Sequence, residues 1–179
     1  MAIIHLVGYH KYWLDKRNGV KNPNFDKNSE LILALKNHED RRFNSAVSHY
    51  YHLLKTELQK HLAPSEPIYA AIVPSSRQGQ YSHGLGFIVR NLRNDFNIVN
   101  SKNPLYRRYA IDKLAQGGSR SISVHLDSVG TINDHIGRGQ KFLLLDDVTT
   151  TGGSLTACKQ LLEAAGAGEV LAIALAKTI

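Results

Sequence analysis

The sequence predicts an α/β fold, an open and mainly parallel sheet flanked by helices, and three observations predict it. Lys141 to Leu145 and Val170 to Ala176 are short apolar runs on either side of a helical stretch from Ser154 to Ala165. That is the pattern of a strand–helix–strand unit whose strands are buried on both faces. An earlier apolar run, Ile68 to Val73, lies between Pro67 and Pro74 and opens a second such unit. Gly166 and Gly168 then follow the last helix, where a helix end favours residues that accept a left-handed backbone. A chain of 179 residues has the length of one domain. We read 1–179 as that domain, with 30–179 as its core and 1–29 as a small N-terminal hood or extension.

Residues Met1 to Asn28 mix aromatics, asparagines and lysines without a clear period, and they read as a short strand followed by a loop. From Ser29 to Lys36 the apolar positions Leu31, Ile32, Leu33 and Leu35 predict a short helix capped by Ser29 or Asn28. A second helix starts near Asn44, with Ala46, Val47, Tyr50, Tyr51, Leu54 and Leu58 along one face, and ends before Pro64. The Ile68 to Val73 strand leads into a loop, Pro74 to Gln80, and a helix from Tyr81 to Leu92 that contains Gly84 and Gly86. Phe96 to Val99 reads as a second strand, and Ser101 to Ser119, with Pro104 and the Gly117-Gly118 pair, as a long connection. Ser121 to Leu126 reads as a strand again, so that His125 and Asp127 fall at its polar end.

Composition narrows the classes of function. The single cysteine, Cys158, leaves no intrachain disulfide and no CxxC pair, which favours a reducing compartment. The apolar start, Met1 to Gly8, has no basic region before it and no small-residue cleavage site, and no apolar stretch is long enough to span a bilayer. The expectation is a soluble, cytoplasmic protein without a membrane partner. The nine histidines are scattered without an HExxH pattern, which argues against a catalytic zinc. The formal charge is +7, and between Arg90 and Arg120 seven basic residues face two acidic ones. Such a segment fits an anionic ligand, nucleic acid or plain solvent.

The stretch from Phe142 to Leu155 concentrates the chemistry. Two adjacent carboxylates, Asp146 and Asp147, stand where an apolar strand leaves the core. Thr149, Thr150, Thr151, Gly152, Gly153 and Ser154 then lead into a helix N-terminus. Unpaired backbone N–H groups and the positive dipole end favour a phosphate there, and the hydroxyls and glycines let the loop close round it. Two acids beside a phosphate need another duty, such as accepting hydrogen bonds from sugar hydroxyls or holding Mg²⁺ through water. The combination points to a sugar phosphate. Neither GxxxxGK[ST] nor GxGxxG is present.

The string LLLDDVTTTGGSL from Leu143 to Leu155 resembles the phosphoribosyl pyrophosphate motif of the type I phosphoribosyltransferases. The resemblance implies Mg²⁺-dependent transfer of a phosphoribosyl group to a nucleobase or related acceptor, with release of pyrophosphate. It implies that Asp146 and Asp147 contact the ribose hydroxyls and Mg²⁺, and that Thr149 to Ser154 hold the 5′-phosphate. Ser75, Ser76 and Arg77, in the loop after the first core strand, would hold the diphosphate. One of Arg107, Arg108 and Arg120 would close over it from a flexible connection. Within the family the chain is most similar to the ComF-like, competence-associated branch, through Ile32-Leu-Ala-Leu-Lys36, Val73-Pro74 and the Ala-Leu-Ala-Lys177 ending. It departs from that branch at Ser82-His83-Gly84-Leu85, where an arginine-glycine-phenylalanine-asparagine stretch is usual. Homodimers are common in the family, and His10, Tyr12, Trp13 and Phe25 would stack on a base if 1–29 forms a hood. Two other readings stay open: a non-catalytic sensor of phosphoribosyl pyrophosphate, and a nucleic-acid-associated protein of DNA uptake or processing.

Overall fold

The computed structural model describes residues 3–111 and 121–179. Four parallel strands form the main sheet in the order β1 (Ile4–Tyr9), β8 (Val170–Thr178), β7 (Lys141–Thr149), β4 (Ile68–Ile72). The open parallel sheet flanked by helices is therefore present. The N-terminal run is not peripheral to it, because Ile4 lies opposite Ile173 and Tyr9 opposite Thr178. Beyond β1, a two-stranded antiparallel hairpin of β2 (Trp13–Asp15) and β3 (Val20–Lys21) leads to helix α1 (Lys27–Leu35). The α1 cap is Asp26, whose carboxylate accepts from the Ser29 backbone N–H at 2.8 Å. Ser29 is instead buried, and its hydroxyl accepts from the His10 N–H.

Side-chain alternation along the strands makes two cores. On β7, Leu143 and Leu145 pack with α1, α2 (Phe43–Leu58) and α3 (His83–Leu92), whereas Phe142 and Leu144 pack with α5 (Gly153–Ala164). On β8, Leu171, Ile173 and Leu175 join the first core while Val170, Ala172 and Ala174 join the second. A parallel strand buried on both faces has no polar side, which is why these runs read so clearly. Tyr50, Leu54 and Leu58 of α2 have no exposed surface.

Gly84 sets how closely α3 approaches α1. A Cβ at this position would stand 2.4 Å from Leu35 Cγ and 2.7 Å from the Leu35 carbonyl oxygen. Gly84→Ala is expected to destabilise the protein by about 1–3 kcal/mol in urea unfolding, the usual cost of overpacking. Alanine's better helix propensity, about 1 kcal/mol, offsets only part of this, so a variant as stable as the parent would refute the tight contact.

Two predicted strands turn out otherwise. Ser121 to Leu126 is not a strand: α4 (Ile122–Ser128) is a two-turn helix whose cap, Ser121, accepts from the Val124 N–H. His125 and Asp127 are accordingly helical. Phe96 to Val99 contributes a single parallel bridge, Ile98 to Ile68. Past that bridge the free edge of β4 is met by side chains. The Asn100 carboxamide accepts from the Ala70 N–H at 2.7 Å and donates to the Ala70 carbonyl at 2.8 Å. Asn103 does the same for Ile72 at 3.0 and 2.9 Å. Within the long connection, β5 (Leu105–Arg107) pairs antiparallel with β6 (Val129–Thr131).

Candidate functional site

The acids of the motif fall at the carboxyl end of β7, and the strand's alternation sends them to opposite faces. Asp146 continues the Phe142–Leu144 row and meets α5, where the Ser154 hydroxyl donates to its Oδ2 at 3.1 Å. Asp147 continues the Leu143–Leu145 row and meets the end of α1, where Lys36 Nζ stands 3.3 Å from its Oδ1. The backbone turns back on both acids: the Asp147 N–H donates to Asp146 Oδ1 at 2.9 Å and the Val148 N–H to Asp147 Oδ1 at 2.6 Å. Lys36 is thereby drawn into the site by helix packing.

Electrostatics separate the members of this cluster. Burial, joined by the neighbouring Asp147 charge, pushes the Asp146 carboxyl up to about 7, against the pull of Lys36 and of the Ser154 hydroxyl. Burial lowers the Lys36 pKa, but the fields of Asp147 and Asp146 outweigh it and hold the ammonium above its ordinary value. Cys158, one turn into α5 from Ser154, is fully buried, and burial pushes its thiol up to about 12. It packs as a small apolar residue.

The raised Asp146 pKa fixes a sign for stability. Between 3.8 and about 7 the folded protein holds a proton that the unfolded chain has released. Stability contributed by this group therefore falls as pH rises through that window and levels off above it. Asp146→Asn, which cannot ionise, is expected to raise the melting temperature by several degrees near pH 8 and far less near pH 4.5. The same shift at both pH values would show that the carboxyl is not held protonated.

A cavity of about 740 Å³ opens beside the acids. Its walls are the β4 loop from Val73 to Ser75 and from Gly79 to Ser82, the α3 start at His83, and Lys36, His38, Asp146 and Asp147. The loop is closed by the Ser75 N–H donating to the Gln80 carbonyl, with Gly79 left-handed at φ +70°. Ser76 and Arg77 belong to this loop without lining the cavity. The Ser75 hydroxyl bonds within it, accepting from the Arg77 N–H at 3.2 Å. His38 and His83 stand at the rim with ring centroids 5.2 Å apart.

The Thr149–Ser154 loop lies on the α5 side of the acids and does not line that cavity. Thr149 is buried, while Thr150 and Thr151 are exposed. Gly152 caps α5 in the left-handed region at φ +81°, and a Cβ there would also press on Ile3 at 2.8 Å. The α5 cap makes no side-chain hydrogen bond to the first N–H groups of the helix.

Arg107 differs most from its sequence reading. It ends β5 and is 3% exposed. Its guanidinium donates to the Ser75 carbonyl at 2.8 Å, the Pro74 carbonyl at 3.0 Å and the Ser128 hydroxyl at 2.6 Å. It therefore holds the cavity loop from beneath and has no reach over it. Arg108 is exposed, and its carbonyl accepts from the Gln78 carboxamide at 2.9 Å. Arg120 lies outside the described residues. Of the basic segment, Arg107 spends its guanidinium on backbone carbonyls and the Ser128 hydroxyl, and Lys113 lies outside the described residues.

Two features escaped sequence reading. Gln80, Tyr81 and Ser82 line the cavity, and Tyr81 also donates to the Leu105 carbonyl at 2.9 Å. The His38–His83 approach follows from the α1–α3 contact, for which Gly84 was the visible signal.

The chain is 32% identical over 72 residues to an adenine phosphoribosyltransferase of Petrotoga mobilis, covering 40% of this chain and 38% of that one. It is 36% identical over 96 residues to the adenine phosphoribosyltransferase of Bordetella pertussis, covering 50% and 49%. It is 42% identical over 56 residues to that of Thermosipho africanus, covering 31% and 28%. The chain thus spans less than half the length of these relatives. No family profile matches it. Among solved structures, an allosteric regulatory enzyme of purine biosynthesis aligns with a TM-score of 0.41 at 15% identity, over 74% of this chain and 26% of that one. These partial sequence matches are to adenine phosphoribosyltransferases, and they do not bear on the ComF-like branch. Among the described residues no helix is long and apolar enough to cross a membrane.

Proposed function

We propose that this protein binds phosphoribosyl pyrophosphate at the carboxyl end of β7 and transfers its phosphoribosyl group to a nitrogen of a nucleobase or related acceptor. The observation that carries the reading is the split acid pair, Asp146 against Ser154 and Asp147 against Lys36, between a large cavity and an uncapped helix N-terminus. Two carboxylates that point apart from adjacent positions can each accept from a hydroxyl of a ribose diol. Thr150, Thr151 and the first N–H groups of α5 suit the 5′-phosphate. The Pro74–Gln80 loop, with Ser75, Ser76 and Arg77, suits the diphosphate.

No group of three or more metal-ligating side chains occurs among the described residues. Two acids fit Mg²⁺ that takes its remaining oxygens from substrate and water. Asp146 and Asp147 would hold it, and when bound it neutralises charge growing on the departing pyrophosphate. The transfer breaks the anomeric C–O bond, leaving the electron pair on pyrophosphate, and forms a C–N bond to the acceptor. No covalent nucleophile is needed. The chain's part is to fix the sugar between the acids and the phosphate loop and to exclude water from the cavity. The ComF-like placement rests on motif likeness alone, as does a homodimer.

Calorimetric titration of the native chain with phosphoribosyl pyrophosphate and Mg²⁺ tests the reading, followed by a screen of nucleobases for pyrophosphate release. Saturable binding is expected. It should weaken as pH falls through about 7 and Asp146 takes up a proton. A folded protein that gives no binding heat at any pH would refute the proposal.

A further inference from the structure

A second cleft, of about 300 Å³, lies between α3 and residues 100–103, at the edge of β4. Arg90, Arg93 and Lys102 converge on it, and no acidic residue lines it. None of the ion pairs found among the described residues involves these three cations. Two of them are held in place. The Arg93 guanidinium donates to the Ile98 carbonyl at 2.8 Å and to the Asn100 carbonyl. The Arg90 guanidinium lies over the Phe87 ring, 4.6 Å from its centre. A guanidinium stacked on a ring keeps its N–H edge free for an anion.

Helix polarity explains part of this. Arg90 and Arg93 stand at the C-terminal end of α3, where cations complement the exposed carbonyls. Lys102 comes from a different segment, and three like charges gathered round one cleft repel unless an anion sits among them. The inner wall has the opposite character: Ile72 and Val89 line it, and at Gly86 an added Cβ would meet nothing within 4 Å. The missing side chain leaves the apolar part of the cleft open.

We propose that this cleft binds an organic phosphomonoester, its phosphate between Arg90, Arg93 and Lys102 and its body against Ile72, Val89 and the bare backbone of Gly86. The site is separate from the cavity beside Asp146 and stands whether or not that cavity takes phosphoribosyl pyrophosphate.

Phenyl phosphate is a suitable probe, with inorganic phosphate for comparison, read by amide chemical-shift titration. Phenyl phosphate is expected to shift the Gly86, Ser101 and Lys102 amides saturably, and to bind at least about tenfold more tightly than inorganic phosphate because the ring enters the apolar wall. The same shifts should persist in the Asp146→Asn, Asp147→Asn double variant. Gly86→Leu, which fills open space, should weaken binding at least about tenfold while the fold is kept. Arg90→Gln with Lys102→Gln should remove it. No saturable shift at these amides, equal affinity for the two phosphates, or full binding by a folded Gly86→Leu variant would each overturn the proposal.

Discussion

Arg107→Met is expected to cost about 3 kcal/mol of stability, because three acceptors lose their donor at once. The Pro74 and Ser75 carbonyls and the Ser128 hydroxyl receive the guanidinium, and an acceptor left unpaired in the interior costs about 1–3 kcal/mol. Part of the loss returns as the buried cation disappears, since burial already holds the Arg107 pKa below its ordinary value. The loop beside the acids also loses its underside support. Denaturant unfolding measures the first effect, and the binding titration described above measures the second. Arg107→Lys, with one charged head for three acceptors, is expected to recover little of either. A loss below about 1 kcal/mol in the methionine variant would mean that the loop does not depend on this arginine.

The second large effect concerns the acids. Asp146→Asn with Asp147→Asn is expected to reduce affinity for phosphoribosyl pyrophosphate by at least about 100-fold, or about 2.7 kcal/mol. Each carboxamide keeps one carbonyl acceptor where the carboxylate offered two oxygens, and the charge that would hold Mg²⁺ is gone. Asp146→Asn alone should nevertheless melt no lower than the parent near pH 8, because the ionised Asp146 is a cost to the fold there, whereas the double variant also deprives Lys36 of its counter-charge. In the single variant binding and stability thus move in opposite directions, and loss of both together would indicate damage to the fold. Retained binding by the double variant would remove the acids from the site.

The parts of the fold that could be read from sequence are those whose burial leaves a pattern. β7, α5 and β8 stand out because strands covered on both faces are unbroken apolar runs and the helix between them ends in glycines. The segment from Ile122 to Leu126 misled for the same reason. Ile122, Val124 and Leu126 alternate as in a strand, and a seven-residue helix is too short for a 3.6-residue period to compete with that alternation. β1 reads as an extended start, but its partner, β8, lies at the other end of the chain, and pairing so distant has no local signature.

The site divides along similar lines. The Asp146-Asp147 pair and the Thr149–Ser154 loop are contiguous, so their chemistry is visible in one stretch. What sequence could not show is that strand alternation would turn the acids to different faces, one toward Ser154 and one toward Lys36. In sequence Arg107 shows only its charge, and a charge does not say whether its donors face ligand or backbone. Its neighbours in space, Pro74 and Ser75, are more than thirty positions away.

Asn100 and Asn103 have a consequence for how far the sheet extends. A strand edge normally offers its peptide groups to any chain that arrives, a liability for association and aggregation. Here the acceptors and donors of Ala70 and Ile72 are already matched by carboxamides. Each of these is in effect a peptide unit carried on a one-carbon tether. The lattice is thereby terminated from within the molecule, by two side chains in place of another strand. The stretch that carries them is released from strand geometry and is free to turn away at Pro104.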